Sequence, residues 1–365
     1  MNLSPALQPT YTQEQMNARQ AQRLAEFIAF GPIVFQVARV LLKRGILDQL
    51  RDHDEGMTVE QVATATQLPA YGVKVLLEAA LTAGMVLVDA DKDRYSLSKV
   101  GWFLINDPAT RVNIDFNHDI NYRGFFYLDD AIATGKPAGL KTLGDWQTIY
   151  EGLSSLPKQE QDSWFAFDHF YSDNSFDQAL DIVFAHPVRN LMDVGGNTGR
   201  WALRCVKHAP DVNVTIVDLP QQIALMQENV AGQPGAERIK GLGANLLDES
   251  TALPHDTHYD AIWMSQFLDC FSTEEITSIL RRAAEVMHPD TRLYIMETLW
   301  DRQRFEPAAF CLTQISLYFT VMANGNSKMY GTDDLTACIN AAGLQVETIH
   351  DHLGQGHSIV VCHKP

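Results

Sequence analysis

Leu191 to Gly199 reads LMDVGGNTG. The apolar run Val188 to Val194 predicts a buried parallel strand that carries an acid, Asp193, next to its last residue. The chain then breaks into Gly195, Gly196 and Gly199 ahead of the amphipathic run Trp201 to Val206. Strand, glycine turn and helix thus follow in the order that a nucleotide-type ligand site requires: the glycines admit the ligand to the backbone and the helix N-terminus faces it. A plain strand-to-helix turn can use the same residues, so the segments that follow decide between the two.

Those segments alternate. Asn213 to Val217, Ile239 to Gly243, Ala261 to Ser265 and Arg292 to Met296 read as strands, with helices over Gln221 to Val230 and Ser272 to Met287 between them. Ser272 with Glu275 forms a capping box at the start of the second helix. Helices over Ala308 to Val321 and Thr332 to Ala342 lead to two last strands, Leu344 to Ile349 and Ser358 to His363. Alternation of this kind predicts a parallel, doubly wound α/β sheet. The last two strands are too close for a crossover and must form an antiparallel hairpin. An antiparallel last strand belongs to a Rossmann-like class I methyltransferase sheet rather than a nicotinamide-binding one. The glycine spacing agrees, because a dinucleotide fingerprint needs GxGxxG. Asp193 can face a ligand ammonium, which S-adenosylmethionine has and nicotinamide dinucleotides lack. Asp218, ending a strand in VDLP with Leu219 beside it, can accept both ribose hydroxyls. Asn245, in GANLLD, is placed for the adenine amine, with Leu246 on the ring; Asn197 of the glycine turn, Ser265 and Gln266 complete the expected cofactor contacts.

A chain of 365 residues predicts more than one core. We expect a helical arm and winged-helix-like dimerisation domain over 1–106, a helical connector lining the substrate pocket over 107–184, and the cofactor-binding domain over 185–365. The arm combines a helix over Gln13 to Phe30 with a second over Val34 to Leu42, whose apolar surface suits a partner subunit. Thr58 with Gln61 caps the helix Val59 to Thr66, Pro69 opens another through Leu81, and Val86 to Asp89 with Arg94 to Leu97 make the wing. On that helix Lys74 stands against Glu78; on the wing Lys92 and Arg94 stand against Asp89, Asp91 and Asp93. With a net charge of −17 as well, the chain is not expected to hold nucleic acid. Five scattered cysteines without CxxC spacing, together with the lack of a signal or spanning segment, predict a cytoplasmic protein with no membrane partner. The connector is rich in aromatic residues and suits an apolar pocket wall.

On these motifs the sequence resembles, over nearly its full length, the dimeric S-adenosylmethionine-dependent O-methyltransferases of the plant caffeic acid and hydroxyindole type. The family's DVGGGxG is similar to Asp193–Gly199 with Asn197 in place of the third glycine, its DLP to Asp218–Pro220, and its GGDFFD to Gly243–Asp248. The resemblance implies methyl transfer to a hydroxyl of a small aromatic, phenolic or quinol-like acceptor. It also implies a homodimer held by the N-terminal module, and no metal. Where the family carries a pattern like LHDWSDE, whose His takes the substrate proton, this chain has Leu268, Asp269, Cys270, Phe271, Ser272, Thr273 and Glu274. Asp269 is therefore the expected base. An exposed Asp titrates near ~3.9 against ~6.5 for His, and burial among Phe267, Phe271 and the connector would raise that value. His169, in FDHF, is similar to the family's SDHS segment and is a second candidate, with His118 behind it. Acceptors acidic enough to ionise unaided would need no base. Glu297, in IMETL, matches the acid that braces the base. Altered chemistry on the same cofactor, such as decarboxylation or hydroxylation, and a silent cofactor-binding or regulatory protein are the alternatives. His350, His352 and His357 in the last hairpin, and His255 with His258, read as surface residues rather than metal ligands.

Overall fold

The computed structural model describes residues 3–365, apart from the side chains of residues 171–173. The chain forms two compact units, Glu14–Asp119 and a larger one made of Ile120–Pro365 with the first residues of the chain up to Gln13.

In the smaller unit the arm is two helices, as expected, but they span Ala18–Ala29 and Gly31–Lys43, so the first starts later than Gln13. The reason is local: Asn17 and Gln20 form a reciprocal capping box that starts the first helix late. This helix buries none of its residues within the chain, and Phe27, Ile28, Phe30 and Ile33 are exposed. Behind it, Leu41, Ile46, Leu47, Val62, Val73 and Leu77 form the unit's core. Thr58 and Gln61 cap Val59–Thr66 as read from the sequence. The helix Ala70–Thr82 follows, then the antiparallel hairpin β1 (Val86–Asp89) and β2 (Arg94–Leu97). Among the described residues no single helix is long and apolar enough to cross a membrane.

The larger unit is built on seven strands: β3 (Asn190–Val194), β4 (Asn213–Asp218), β5 (Ile239–Gly243), β6 (Ala261–Ser265), β7 (Arg292–Glu297), β8 (Gln345–Leu353) and β9 (His357–His363). Their spatial order is β5-β4-β3-β6-β7-β9-β8. The first five are parallel; β9 runs antiparallel to β7 and β8 antiparallel to β9, as the short last connection required. The winding reverses between β3 and β6, where ligands of open α/β sheets bind. β3 is buried on both faces: Met192 and Val194 enter one apolar cluster, Leu191 the other. The residues before Gln13 pack here rather than with the arm, because Leu7 is fully buried and Ser4 bonds to the carbonyls of Asp301 and Gln303.

One buried cation shapes the loop after β5. Arg282 donates from Nη1 to the carbonyls of Asp248 and Thr251 and from Nη2 to that of Leu246. Replacing it strands three carbonyls, so Arg282→Leu should cost about 2–4 kcal/mol. A thermal melt reads this as a lower midpoint, and an unchanged midpoint would contradict it.

Candidate active site

The glycine turn is shaped by a carboxylate and an aromatic ring. Gly195 has φ +76°, and a Cβ on it would stand 2.3 Å from the Phe267 ring. A Cβ on Gly196 would meet Asp193 Oδ2 at 2.6 Å and Ile216 at 2.8 Å. Asn197 takes a positive φ, which Asn tolerates better than most residues, and donates its amide to Asp218 Oδ2 at 2.8 Å. Gly199, at φ +78°, opens the helix Arg200–His208.

Around this turn the structure gathers Asp193, Gly195, Gly196, Asn197, Ser265, Gln266 and His169 as the lining of one cleft. Asp193 is the most constrained of them. It is buried, its Oδ2 has no hydrogen-bond partner among the described residues, and burial, reinforced by Asp218, pushes its carboxyl up to about 8. Asp218 accepts the amides of Asn197 and Leu219, and burial holds it above the usual carboxylate range. Its carbonyl accepts the Ala244 amide at 2.8 Å, which ties β4 to the segment carrying Asn245 and Leu246. Asn245 is exposed and its Oδ1 accepts the Leu247 amide, while the Leu246 side chain lies in the core cluster.

Asp269 sits on the short 3-10 turn Leu268–Cys270 that follows β6. It is 5% exposed, and burial pushes its carboxyl up to about 7, with Asp168 raising it further and the Cys270 thiol, at 3.5 Å, opposing the rise. Glu297 braces this turn through the backbone: its Oε1 accepts the amides of Phe267 at 3.1 Å and Leu268 at 2.9 Å. Its Oε2 is buried without a partner among the described residues, and burial followed by the charge of Asp269 holds its carboxyl well up. His169 stacks on Phe165 and lies 3.8 Å from Asp168. His118, in the smaller unit, bonds to Asp119 at 2.6 Å.

Several site residues escape a reading of the sequence. Trp201 and Trp263 stack at 4.2 Å in the cleft lining, each with a buried indole N–H that has no partner among the described residues. Asp168 reaches the Asp269 environment from a helix about a hundred residues earlier in the chain. Tyr318 is buried with its hydroxyl accepting the Trp164 indole at 2.8 Å. Only the proximity of Asp168 to His169 in FDHF marked any of these beforehand. The last hairpin needs a correction: His357 is fully buried rather than at the surface, because Ser175 and Gln266 hold both its ring nitrogens. Among the described residues no cluster could hold a metal ion.

Residues 125–345, more than half of the chain, match the O-methyltransferase domain family, and residues 22–95 match the Dimerisation2-like domain. The chain belongs to the O-methyltransferase family. This methyltransferase is 22% identical to an L-tyrosine C(3)-methyltransferase of Streptomyces lavendulae, over 88% of this chain and 86% of that protein. It shares its fold with the S-adenosylmethionine-dependent methyltransferase SibL at a TM-score of 0.70 and 22% identity, covering 93% of this chain and 98% of that one. An O-methyltransferase from neocarzinostatin biosynthesis, NcsB1, solved with S-adenosylmethionine and 2-hydroxy-5-methyl naphthoic acid, matches at a TM-score of 0.63 and 20% identity over 91% and 96%.

The raised Asp193 carboxyl predicts a pH effect on the ligand-free methyltransferase. The fold holds this proton more tightly than the unfolded chain does, so the cost of burying the charge is absent below about pH 4 and grows to its full size by about pH 8. Between about pH 5 and about pH 9 the melting midpoint of Asp193→Asn should therefore fall less than that of the native chain. Equal slopes would contradict the assignment.

Proposed function

We propose that this methyltransferase moves the methyl group of S-adenosylmethionine to a hydroxyl of a small aromatic, phenolic or quinol-like acceptor, with Asp269 as the base. The observation that carries this reading is the buried Asp269 carboxyl, raised to about 7 on a turn that Glu297 braces. An ordinary exposed Asp is too weak a base for a phenol; one raised into the neutral range is matched to proton transfer at neutral pH. The cofactor supplies a methyl group already activated on a sulfonium, so the protein's share is alignment and proton removal.

The cleft suits that cofactor. An acceptor oxygen with no partner among the described residues, Asp193 Oδ2, stands under a glycine turn that lines the same cleft as Ser265 and Gln266. In this reading Asp193 takes the ammonium, Asp218 the ribose hydroxyls, Asn245 the adenine amine, and Leu246 packs beneath the ring. Gly199, Leu219, Ser265 and Gln266 frame these contacts. His169 stands by the cofactor as the second candidate base, and Glu297 positions the Asp269 turn. Residues 107–184 line the acceptor pocket, residues 185–365 bind the cofactor, and the N-terminal module joins two copies into a cytoplasmic homodimer through the exposed faces of Ala18–Ala29 and Gly31–Lys43. The acidic surface gives nucleic acid no purchase, and no metal is required.

A methyl-transfer screen over phenols and quinols, with product analysis, tests this reading. Transfer to oxygen is expected, and labelled carbon products or no turnover on any acceptor would overturn it. Asp269→Asn should lower kcat on the order of 10²-fold while leaving the dissociation constant of S-adenosylhomocysteine unchanged. The native rate should rise with pH through a midpoint near about 7, as Asp269 loses its proton. Unchanged turnover in the variant would move the role to His169.

A further inference from the structure

The turn between β8 and β9 places a histidine where hairpins seldom bury one. His357 is fully buried. Its Nδ1 lies 2.9 Å from Ser175 Oγ and its Nε2 lies 3.1 Å from Gln266 Oε1. Ser175, itself fully buried, ends the short 3-10 turn that follows the helix bearing Asp168 and His169. Gln266 follows β6, has a positive φ of 44°, and is fixed by its own amide, which donates to the Met296 carbonyl at 2.9 Å. A non-glycine residue held in this conformation is strained, and such residues cluster where a side chain has to be aimed.

Gln266 presents its carboxamide oxygen, which only accepts, so a neutral imidazole carries its proton on Nε2 and donates it to Gln266 Oε1. Nδ1 is then an acceptor for the Ser175 hydroxyl at 2.9 Å, in preference to the Leu353 carbonyl, which lies 3.5 Å from the same hydroxyl oxygen. Burial keeps the ring neutral by pushing its pKa down to about 4. The carboxamide oxygen of Gln266 is thereby used, and its NH2 end has no partner among the described residues. Gln266 lines the cleft together with Asp193 and Gly196. The hairpin turn is built to hold this geometry. A Cβ on Gly354 would meet Ser175 Oγ at 2.5 Å, and one on Gly356 would meet Gln303 Oε1 at 2.3 Å. Gln303 in turn donates to the Gly356 carbonyl at 2.8 Å.

We propose that His357 is a positioning residue for cofactor binding: it fixes Gln266 so that the carboxamide NH2 donates to the carboxylate at the amino-acid end of the cofactor. This rests on the proposed cofactor, whose ammonium Asp193 takes in the same cleft. Ser175 sets the tautomer, and through it the connector and the last hairpin both act on ligand affinity.

The test compares two ligands by calorimetry on the full-length protein. S-Adenosylhomocysteine has the amino-acid end; 5′-methylthioadenosine lacks it. His357→Leu should weaken the first about tenfold, the scale of one hydrogen bond to a charged group, and leave the second unchanged. His357→Gln, which keeps a donor near the Nε2 position, should recover most of the loss. His357→Leu placed on Gln266→Ala should cost nothing more, because the histidine acts through the glutamine. Equal losses for both ligands, or additive losses in the double variant, would overturn the proposal. If His357→Leu does not fold, Ser175→Ala with Gln266→Ala completes the same cycle with the same two readings. Should the native protein bind neither ligand, the cofactor assignment fails instead. The 15N shifts of His357 then decide the relay: a proton on Nε2 supports it, and one on Nδ1 overturns it.

Discussion

The structure depends on carboxyl groups buried where no cation among the described residues meets them. Asp193 near the end of β3, Asp269 just after β6 and Glu297 at the end of β7 are each no more than 5% exposed, and each is raised first by burial and then by another acid. Charges in such places are costly unless something compensates them. Glu297 is offset in part by two backbone amides, and Asp193 keeps an oxygen with no partner. Such a sheet end suits a positively charged ligand, which is the role proposed for Asp193.

The rest of the fold serves this arrangement. Gly196 lets the Asp193 carboxylate tuck under the turn, Gly195 makes room for Phe267, and Phe267 carries the chain on to Asp269. The cleft at the glycine turn and the turn bearing Asp269 are therefore one packed assembly. The antiparallel hairpin contributes more than a sheet edge, since β9 pairs with β7 along Leu293 to Glu297 and its first residue, His357, reaches Gln266. Arg282 fixes the loop beyond β5.

What the sequence made legible was local or periodic. The five parallel strands, the closing hairpin and the capping boxes at Thr58 and Ser272 follow from alternation and from residues three apart, and all are present. The glycine turn with Asp193, Asp218 and Asn197 was readable because each residue lies within or just beyond a strand end. What could not be read depends on partners distant in the chain. His357 looks like a hairpin histidine until Ser175, 182 residues earlier, buries it. Leu7 sits in a polar leader yet is fully buried, and Asp168 acts on Asp269 only once the helix Lys158–Ser172 has packed. The late start of the arm helix is a different kind of miss, for the Asn17–Gln20 box was present in the sequence.

If a buried, protonated Asp193 is the seat of the cofactor ammonium, binding has to expel its proton. Calorimetry of S-adenosylhomocysteine near pH 7 in buffers of differing ionisation enthalpy measures this directly. Because the carboxyl is raised to about 8, release of most of one proton per site is expected, absent in Asp193→Asn, with an affinity that rises with pH towards about 8. Binding whose heat does not depend on the buffer, with an affinity unchanged by pH, would contradict it.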